Sequence, residues 1–239
     1  MKAFGPIPSR RLGNSLGINN IPPKVCTYSC VYCQIGKTIT LHCERQAFYR
    51  IDDIAREVKE KVNEIRKRGT EIDYLTFAPD GEPTLDINLG KIIELIRPLN
   101  IKIAVITNGS LINRKDVRED LQKADLVSLK LDTATRKTWL RTDRPHRSLD
   151  LNAILDGMFE FKGIFKGEII TETMLLKGMN DSYEEIRKIA DFLKLLKPTK
   201  SYISIPTRPT AVKGVLPASD ETINIAYQIF KENVDNVEY

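Results

Sequence analysis

The sequence predicts an α/β fold, an open partial (β/α)6 barrel of the TIM type, in a single domain over residues 1–239. After residue 50, short β-rich runs alternate with amphipathic runs of helical period, which is typical of parallel strands joined by helices. The first predicted strand is not followed by a glycine-rich dinucleotide fingerprint, and this argues against a Rossmann sheet. In a barrel, the chemistry is expected at the carboxyl ends of the strands.

Six strand–helix units account for the pattern. Strands are expected at residues 15–19, 74–78, 102–107, 126–131, 168–175 and 201–205. Helices are expected at residues 52–68, 88–99, 114–123, 149–162, 182–196 and 219–233. Asp52, Ser182 and Ser219 are the expected N-caps, because short polar side chains accept hydrogen bonds from the first helical turn. The segment before residue 15, rich in proline and arginine, lies outside the pattern.

Composition narrows the functional classes. No apolar stretch approaches the length of a membrane span and the N-terminus lacks a signal-peptide core, so we expect a cytoplasmic protein without a membrane partner. Three of the four cysteines fall within eight residues, which favours metal or redox chemistry over disulfides. A net charge of +5 permits a polyanionic partner such as RNA, although surplus lysines are common on surfaces that bind nothing.

Cys26, Cys30 and Cys33 form a CxxxCxxC loop after the first predicted strand. Three thiolates on one short loop can bind a single polynuclear metal centre. A cubane [4Fe–4S] cluster is closed by one ligand per iron, so three cysteines leave one iron open to an outside ligand. The amine and carboxylate of an amino acid would suit that position.

A structural zinc ion is the alternative, with either His42 or Cys43 as the fourth ligand beside the three cysteines of the loop. Zinc sites usually pair short Cys-x-x-Cys knuckles, and the spacing here differs from that pattern. An accessible fourth thiolate would also defeat the open iron. We therefore interpret His42 and Cys43 as ordinary residues.

The cysteine loop, with an aromatic residue, Tyr32, before its last cysteine, resembles that of the radical SAM superfamily. The resemblance implies that the open iron chelates the methionine part of S-adenosylmethionine. Electron donation, from a donor such as ferredoxin or flavodoxin, then splits the sulfonium to a 5′-deoxyadenosyl radical that abstracts hydrogen from a substrate. The protein has to align cluster, cofactor and substrate and keep water out.

The resemblance also assigns cofactor contacts to Tyr32 and to residues that follow the next strands. Gly81 and Glu82 look like the family's Gly-Gly-Glu element, with Asp80 in place of the first glycine. Gly81 would allow a close backbone approach, and Glu82 would accept from the ammonium of the cofactor. Asn108 lies in a Thr-Asn-Gly sequence that resembles the family's loop at that point, for which a plain Asn-Gly turn is the alternative.

Ser128, Lys130 and Asp132 alternate along the fourth predicted strand, so their side chains share one face. Lysine and aspartate are poor core residues. The alternation therefore favours a barrel interior close to the ribose and carboxylate of the cofactor. A solvent-facing edge strand is the alternative.

Within the superfamily, the chain resembles the demethylwyosine synthase group, which builds a tricyclic base on a tRNA guanosine. The resemblance rests on residues 81–85, on 132–135 leading to 143–145, and on 208–209. The chain lacks the three further N-terminal cysteines that hold the second cluster of that synthase. Its pyruvate-dependent ring formation is therefore not expected here.

A tRNA base is the first expectation for the substrate, with Arg10, Arg11, Arg144 and Arg208 forming a basic rim. Arginine suits this role because it contacts phosphates in bidentate fashion. Two other functions stay open. One is a glycyl-radical activase that acts on a partner protein, and the other is a non-enzymatic, zinc-stabilised nucleic-acid-binding module.

Overall fold

Ten strands and seven α-helices make up the protein, whose computed structural model describes residues 1–239. The strands are β1 (Ala3–Ser9), β2 (Gly13–Ile18), β3 (Val25–Cys26), β4 (Thr40–Leu41), β5 (Tyr74–Phe77), β6 (Lys102–Thr107), β7 (Leu126–Lys130), β8 (Glu168–Met174), β9 (Lys200–Ser204) and β10 (Val237–Glu238). The helices are α1 (Ile51–Lys67), α2 (Leu89–Ile96), α3 (Lys115–Leu121), α4 (Arg136–Thr142), α5 (Leu151–Ile164), α6 (Tyr183–Leu196) and α7 (Asp220–Lys231).

Eight strands form one open sheet in the order β1-β2-β5-β6-β7-β8-β9-β10. The first pair, β1 and β2, is antiparallel, and every other neighbouring pair in this sheet is parallel. The short strands β3 and β4 pair separately, beside the cysteine loop. The predicted open partial (β/α)6 barrel is confirmed, because β2 and β5 to β9 correspond to the six predicted strands.

The differences from prediction lie at the edges of the main sheet, in the separate pair of β3 and β4, and in one short helix. The sequence pattern missed β1, which contains Pro6 and Pro8 and occupies an edge, where proline is tolerated because no partner needs its missing N–H. It also missed β10, with two residues, and α4, with seven, which are too short for a clear period. No helix combines the length and the apolar character needed to cross a bilayer.

Two of the three predicted helix caps are confirmed. Ser182 and Ser219 accept hydrogen bonds from the first turns of α6 and α7. The prediction for Asp52 is wrong, because α1 begins at Ile51 with Arg50 in the capping position. Asp52 instead lies in the first turn, where a carboxylate interacts favourably with the amino end of the helix dipole.

Alternation along the strands separates two apolar clusters. Outward residues such as Leu75, Val105 and Leu129 join the main core beneath the helices. Inward residues form a smaller cluster together with Leu12, which lies in the turn between β1 and β2. The strand residues of this cluster are Ala104, Leu126, Ile170 and Tyr202. The β1–β2 turn therefore covers part of the inner face of the open barrel.

Candidate functional site

The cysteine loop is held on one side by the loop that follows α4. The backbone N–H of Ser29 donates to the carbonyl of Asp143 at 3.0 Å, and that of Val31 donates to the carbonyl of Thr142 at 2.9 Å. Because these bonds join two chain segments rather than neighbouring residues, they fix the loop in place. The sequence Asp-Arg-Pro at 143–145 thus packs directly against the cysteines.

The loop that follows β6 holds the cysteine loop on the other side. The side-chain amide of Asn108 donates to the hydroxyl of Thr27 at 2.8 Å and lies 3.6 Å from the sulfur of Cys26. The hydroxyl of Ser110 donates to the same hydroxyl at 2.7 Å. Asn108 is therefore more than a plain turn residue, since it contacts the cysteine loop directly.

Gly81 lies where β3 approaches the end of β5. A Cβ atom at this position would fall 2.1 Å from the carbonyl oxygen of Val25. The same carbonyl accepts a hydrogen bond from the backbone N–H of Glu82 at 3.1 Å. The close approach that glycine permits here is thus between the cysteine loop and the Gly-Glu-Pro loop.

The carboxylate of Glu82 is fully buried and binds two neighbouring loops together. One oxygen accepts from the backbone N–H and the hydroxyl of Thr84, at 3.0 and 2.6 Å, and from the hydroxyl of Thr107 at 2.6 Å. The other oxygen accepts from the backbone N–H of Asn108 at 2.7 Å. Burial raises the pKa of Glu82, and these donors oppose that effect.

Tyr32 points into the protein rather than towards solvent. Its hydroxyl lies between two buried carboxylates, donating to Asp132 and lying 3.0 Å from Asp143. Burial and the nearby charge of Asp132 raise the pKa of Asp143 well above its ordinary range. The sulfur of Cys30 lies 3.6 Å from the Asp143 carboxyl group.

A chain of ion pairs runs from Asp132 across the inner face of the barrel. The ammonium of Lys130 lies 3.7 Å from Asp132 and 3.0 Å from Glu172 on β8, and Glu172 also pairs with Arg11. The guanidinium of Arg11 lies over the ring of Tyr202, 4.9 Å from its centre. Arg11, which the sequence predicts in a basic rim, thus has its charge paired with Glu172, while about a quarter of its side chain stays exposed (25%).

Electrostatics around the cysteines favour a positively charged occupant. Burial raises the pKa of the Cys26 thiol to about 12, with the charge of Glu82 adding to the effect. Burial and Asp143 likewise raise the pKa of Cys30 well above its ordinary value. Buried thiolates are stable only when a cation compensates them, and coordinated metal lowers a thiol pKa strongly.

The three cysteines of the loop lie near one another. Cys26 interacts electrostatically with both Cys30 and Cys33, so the three thiols face a common space. No group of three or more His, Cys, Asp or Glu side chains is arranged to hold one metal ion. Thiolates around a cubane each bind a different iron, so they stand farther apart than the ligands of one zinc ion.

Cys43 lies two residues beyond Leu41, which pairs with Cys26, and its thiol has a different neighbour from those of the loop. Its thiol lies beside Ser148, and burial raises its pKa.

The structure brings most of the predicted site residues together and places one apart. Asn108, Lys130 and Asp132 line a cavity of about 20 Å³, and Tyr32, Gly81 and Glu82 lie around it or support its walls. Ser128 lies deeper, in a separate cavity between the inner face and the β1–β2 turn. The lysine–aspartate side of β7 thus faces the barrel interior, as predicted, and the edge-strand alternative is wrong.

Sequence reasoning did not select Asp143 and Glu172 as site residues. Asp143 lies in the Asp-Arg-Pro sequence, which is a usable signal. Glu172 is at an inward position of β8, where a charge is out of place in a core strand.

A parallel, partial barrel with a three-cysteine loop at its carboxyl-terminal mouth defines a class of cluster-binding barrel proteins. The sequence profile of the Radical SAM superfamily matches residues 20–193, and the chain belongs to this superfamily. The UPF0026 protein MJ1312 of Methanocaldococcus jannaschii is 51% identical over 230 residues, covering 96% of this chain and 71% of that protein.

Solved structures share the fold at low sequence identity. The structure of TYW1 with a lysine–pyruvate adduct bound has a TM-score of 0.67 and 16% identity, covering 92% of this chain and 74% of that one. Streptococcus suis SuiB bound to S-adenosylmethionine has a TM-score of 0.67 and 18% identity, covering 94% of this chain and 51% of that one.

The cofactors follow from membership of the superfamily. Radical SAM proteins use a [4Fe–4S] cluster and S-adenosylmethionine. The thiols and the buried carboxyl groups described above suit both cofactors, because iron, sulfonium and ammonium are all cationic. The zinc-stabilised module is accordingly set aside in favour of the cluster.

Proposed function

We propose that this protein is a radical enzyme in which Cys26, Cys30 and Cys33 hold the [4Fe–4S] cluster. The observation that carries the proposal is that the thiols of Cys26 and Cys30 lie beside buried acidic groups at the mouth of the barrel, with Cys33 close to Cys26. The cluster, when bound, supplies the electron that cleaves S-adenosylmethionine and so generates the radical that attacks a substrate hydrogen.

We assign the cofactor-binding roles to residues on three sides of the cysteine loop. Glu82 and Asp132 are buried carboxylates that suit the ammonium and ribose hydroxyls of S-adenosylmethionine, and Lys130 suits its carboxylate. Asn108 positions Cys26, and Gly81 lets the supporting loops approach. Tyr32 positions Asp132 through its hydroxyl, while Ser128 borders the deeper interior.

Incubation of anaerobically purified, cluster-reconstituted protein with S-adenosylmethionine and dithionite tests this function. We expect 5′-deoxyadenosine as a product, measured by chromatography and mass spectrometry. The Cys43→Ala variant is the matched control and should form the same product, because the thiol of Cys43 has a different neighbour from those of the loop. Failure of the wild-type protein, with its cluster intact, to form any 5′-deoxyadenosine would contradict the proposal.

For the substrate we propose a tRNA base, which the exposed arginines near the mouth support. Arg144 and Arg208 are exposed and stand on two sides of the cysteine loop. The Arg144 carbonyl accepts from Ser29 at 3.1 Å, and the Arg208 N–H donates to Gln34 at 2.9 Å. A polyanion that reaches the cluster would pass between these charges.

The salt dependence of tRNA binding tests the substrate proposal. Replacing both Arg144 and Arg208 with alanine should lower the log–log slope of affinity against salt by up to about two units, one for each lost phosphate contact. Arg68→Ala, an exposed arginine at the end of α1, is the control and should leave the slope unchanged. Equal slopes in the double variant and the wild type would exclude this route for RNA.

A further inference from the structure

Two cavities meet at the turn between β1 and β2, beside the proposed cofactor site. One, of about 470 Å³, lies against the last turn of the cysteine loop and the ends of β8 and β9. The other, of about 310 Å³, lies between the turn and the inward faces of β6, β7 and β8. Both are within the size range of small-molecule pockets, and Arg10 and Arg11 line both.

The side chains that line these cavities carry more positive than negative charge. The larger cavity has two guanidinium groups and one carboxylate side chain, Glu172, which is already shared by Arg11 and Lys130. The smaller cavity has the same two arginines and no acidic side chain. Arg10 is exposed at the rim of these cavities and forms no ion pair or side-chain hydrogen bond within the chain, so its guanidinium is free to bind an anion.

Neutral hydroxyl groups line the same two cavities as Arg10. The hydroxyl of Ser128 lines the smaller cavity and makes no hydrogen bond within the chain. Ser204 lines the larger cavity, with its hydroxyl 3.4 Å from Arg11. Guanidinium and hydroxyl groups that line one cavity are donors suited to phosphate and carboxylate oxygens.

We propose that the β1–β2 turn is a substrate-recognition element, in which Arg10 binds a phosphate or carboxylate group of the substrate within these two cavities. The inference rests on the proposed function, because it places the anionic group of the substrate next to the cofactor that attacks it. Arg11, held by Glu172, positions the turn, and Arg10 provides the free charge.

Methionine methyl groups allow this proposal to be tested without turnover. Met174 lines the cavity that contains Arg10, whereas Met158 lines the small cavity of Asn108 and Asp132. In cluster-reconstituted protein labelled with ¹³C at the methionine methyls, titration with inorganic phosphate or malonate should shift the Met174 signal saturably. The Met158 signal should stay in place.

Variants at Arg10 identify the charge that binds. Arg10→Ala should weaken the anion affinity about tenfold or more, because a charge-assisted hydrogen bond is lost. Arg10→Lys, which keeps the charge without the bidentate geometry, should give an intermediate affinity. Arg68→Ala is the matched control and should bind as the wild type does. An unchanged affinity in Arg10→Ala, or no saturable Met174 shift with either anion, would overturn the proposal.

The source of the anion is settled by two further ligands. Bulk tRNA that shifts the Met174 signal through Arg10 would place an RNA phosphate in the cavity. The second ligand is the mixture of mononucleotides from digestion of the same tRNA. If only this mixture shifts the Met174 signal, the anion belongs to a free small molecule. The anion test measures a methyl signal of the protein, whereas the test of the proposed function measures 5′-deoxyadenosine. Failure of the first test can therefore be distinguished from failure of the second.

Discussion

Two regions of the barrel interior differ in the charge of their side chains: an acidic end at the cysteine loop and a basic end at the β1–β2 turn. At the mouth, the cysteine loop carries three thiols. Three buried carboxyl groups lie around this loop: Glu82, Asp132 and Asp143. At the β1–β2 turn, two arginines face cavities with a single acidic side chain between them. Lys130 and Glu172 connect the two ends through successive ion pairs.

This difference in charge indicates which kind of ligand would stabilise each end. The acidic end is stable when a cationic group occupies it, and the basic end is stable when an anionic group does. One interior therefore offers adjacent places for two ligands of opposite charge. The chain of ion pairs connects the two ends. We expect a substitution at one end to affect ligand binding at that end more than at the other.

The largest expected effect is at the acidic end. Replacing Cys26, Cys30 or Cys33 with alanine should abolish the brown absorbance of the cluster, since each thiolate binds a different iron. Ultraviolet–visible spectra and iron and sulfide analysis after anaerobic reconstitution measure the loss. Cys43→Ala should retain the cluster, and its loss in that variant would mean that the site has a fourth cysteine ligand.

Glu82→Ala should have the next largest effect. The substitution leaves the backbone N–H groups of Thr84 and Asn108 without acceptors, which should lower the free energy of unfolding by about 3 kcal/mol. Affinity for S-adenosylmethionine, measured by calorimetry, should fall about tenfold or more. A destabilised variant with unchanged affinity would show that Glu82 only holds the loops together.

Arg11→Met breaks the chain of ion pairs at the basic end. Burial opposes the charge of Glu172, but Lys130 and Arg11 outweigh it and lower the pKa of Glu172 from 4.5 to about 2. The pair therefore stabilises the fold above pH 4.5, and this contribution is lost as pH falls towards 2. The variant should be about 1.5 kcal/mol less stable at neutral pH.

Urea unfolding of both proteins from pH 7 to pH 2 measures this linkage. The two curves of unfolding free energy against pH should converge as the pH falls. The reason is that the wild type loses the contribution of the Arg11–Glu172 pair, which the variant lacks at every pH. Curves that remain parallel across this range would show that the Arg11 pair makes no pH-dependent contribution.

Tyr32→Phe should have the smallest effect of the four. It removes one hydrogen bond to Asp132 and keeps the ring in place, so the free energy of unfolding should fall by about 1 kcal/mol. The cluster should still assemble, which its absorbance reports. Loss of the cluster in this variant would instead make the Tyr32 hydroxyl necessary for the loop that carries the cysteines.

Much of the fold was predictable because its signals are local. The strand predicted at residues 102–107 coincides with β6, and the Ser182 and Ser219 caps follow from side chains that bond within three residues. The three cysteines also lie close in sequence, so their spacing alone predicts a shared centre. Where the signal was weak, as in β1 with its prolines, prediction failed.

The sequence by itself determined the fold class, the cysteine loop and the inward face of β7, because each depends on residues a few positions apart. Only the tertiary structure decided which charges meet. Asp143 contacts Cys30 across 113 positions, and Arg11 pairs with Glu172 across 161. No periodicity or short motif records such a contact, since it depends on how the loops pack once the sheet has formed. For the same reason Arg11 pairs with Glu172, whereas Arg10, its neighbour in the chain, forms no ion pair.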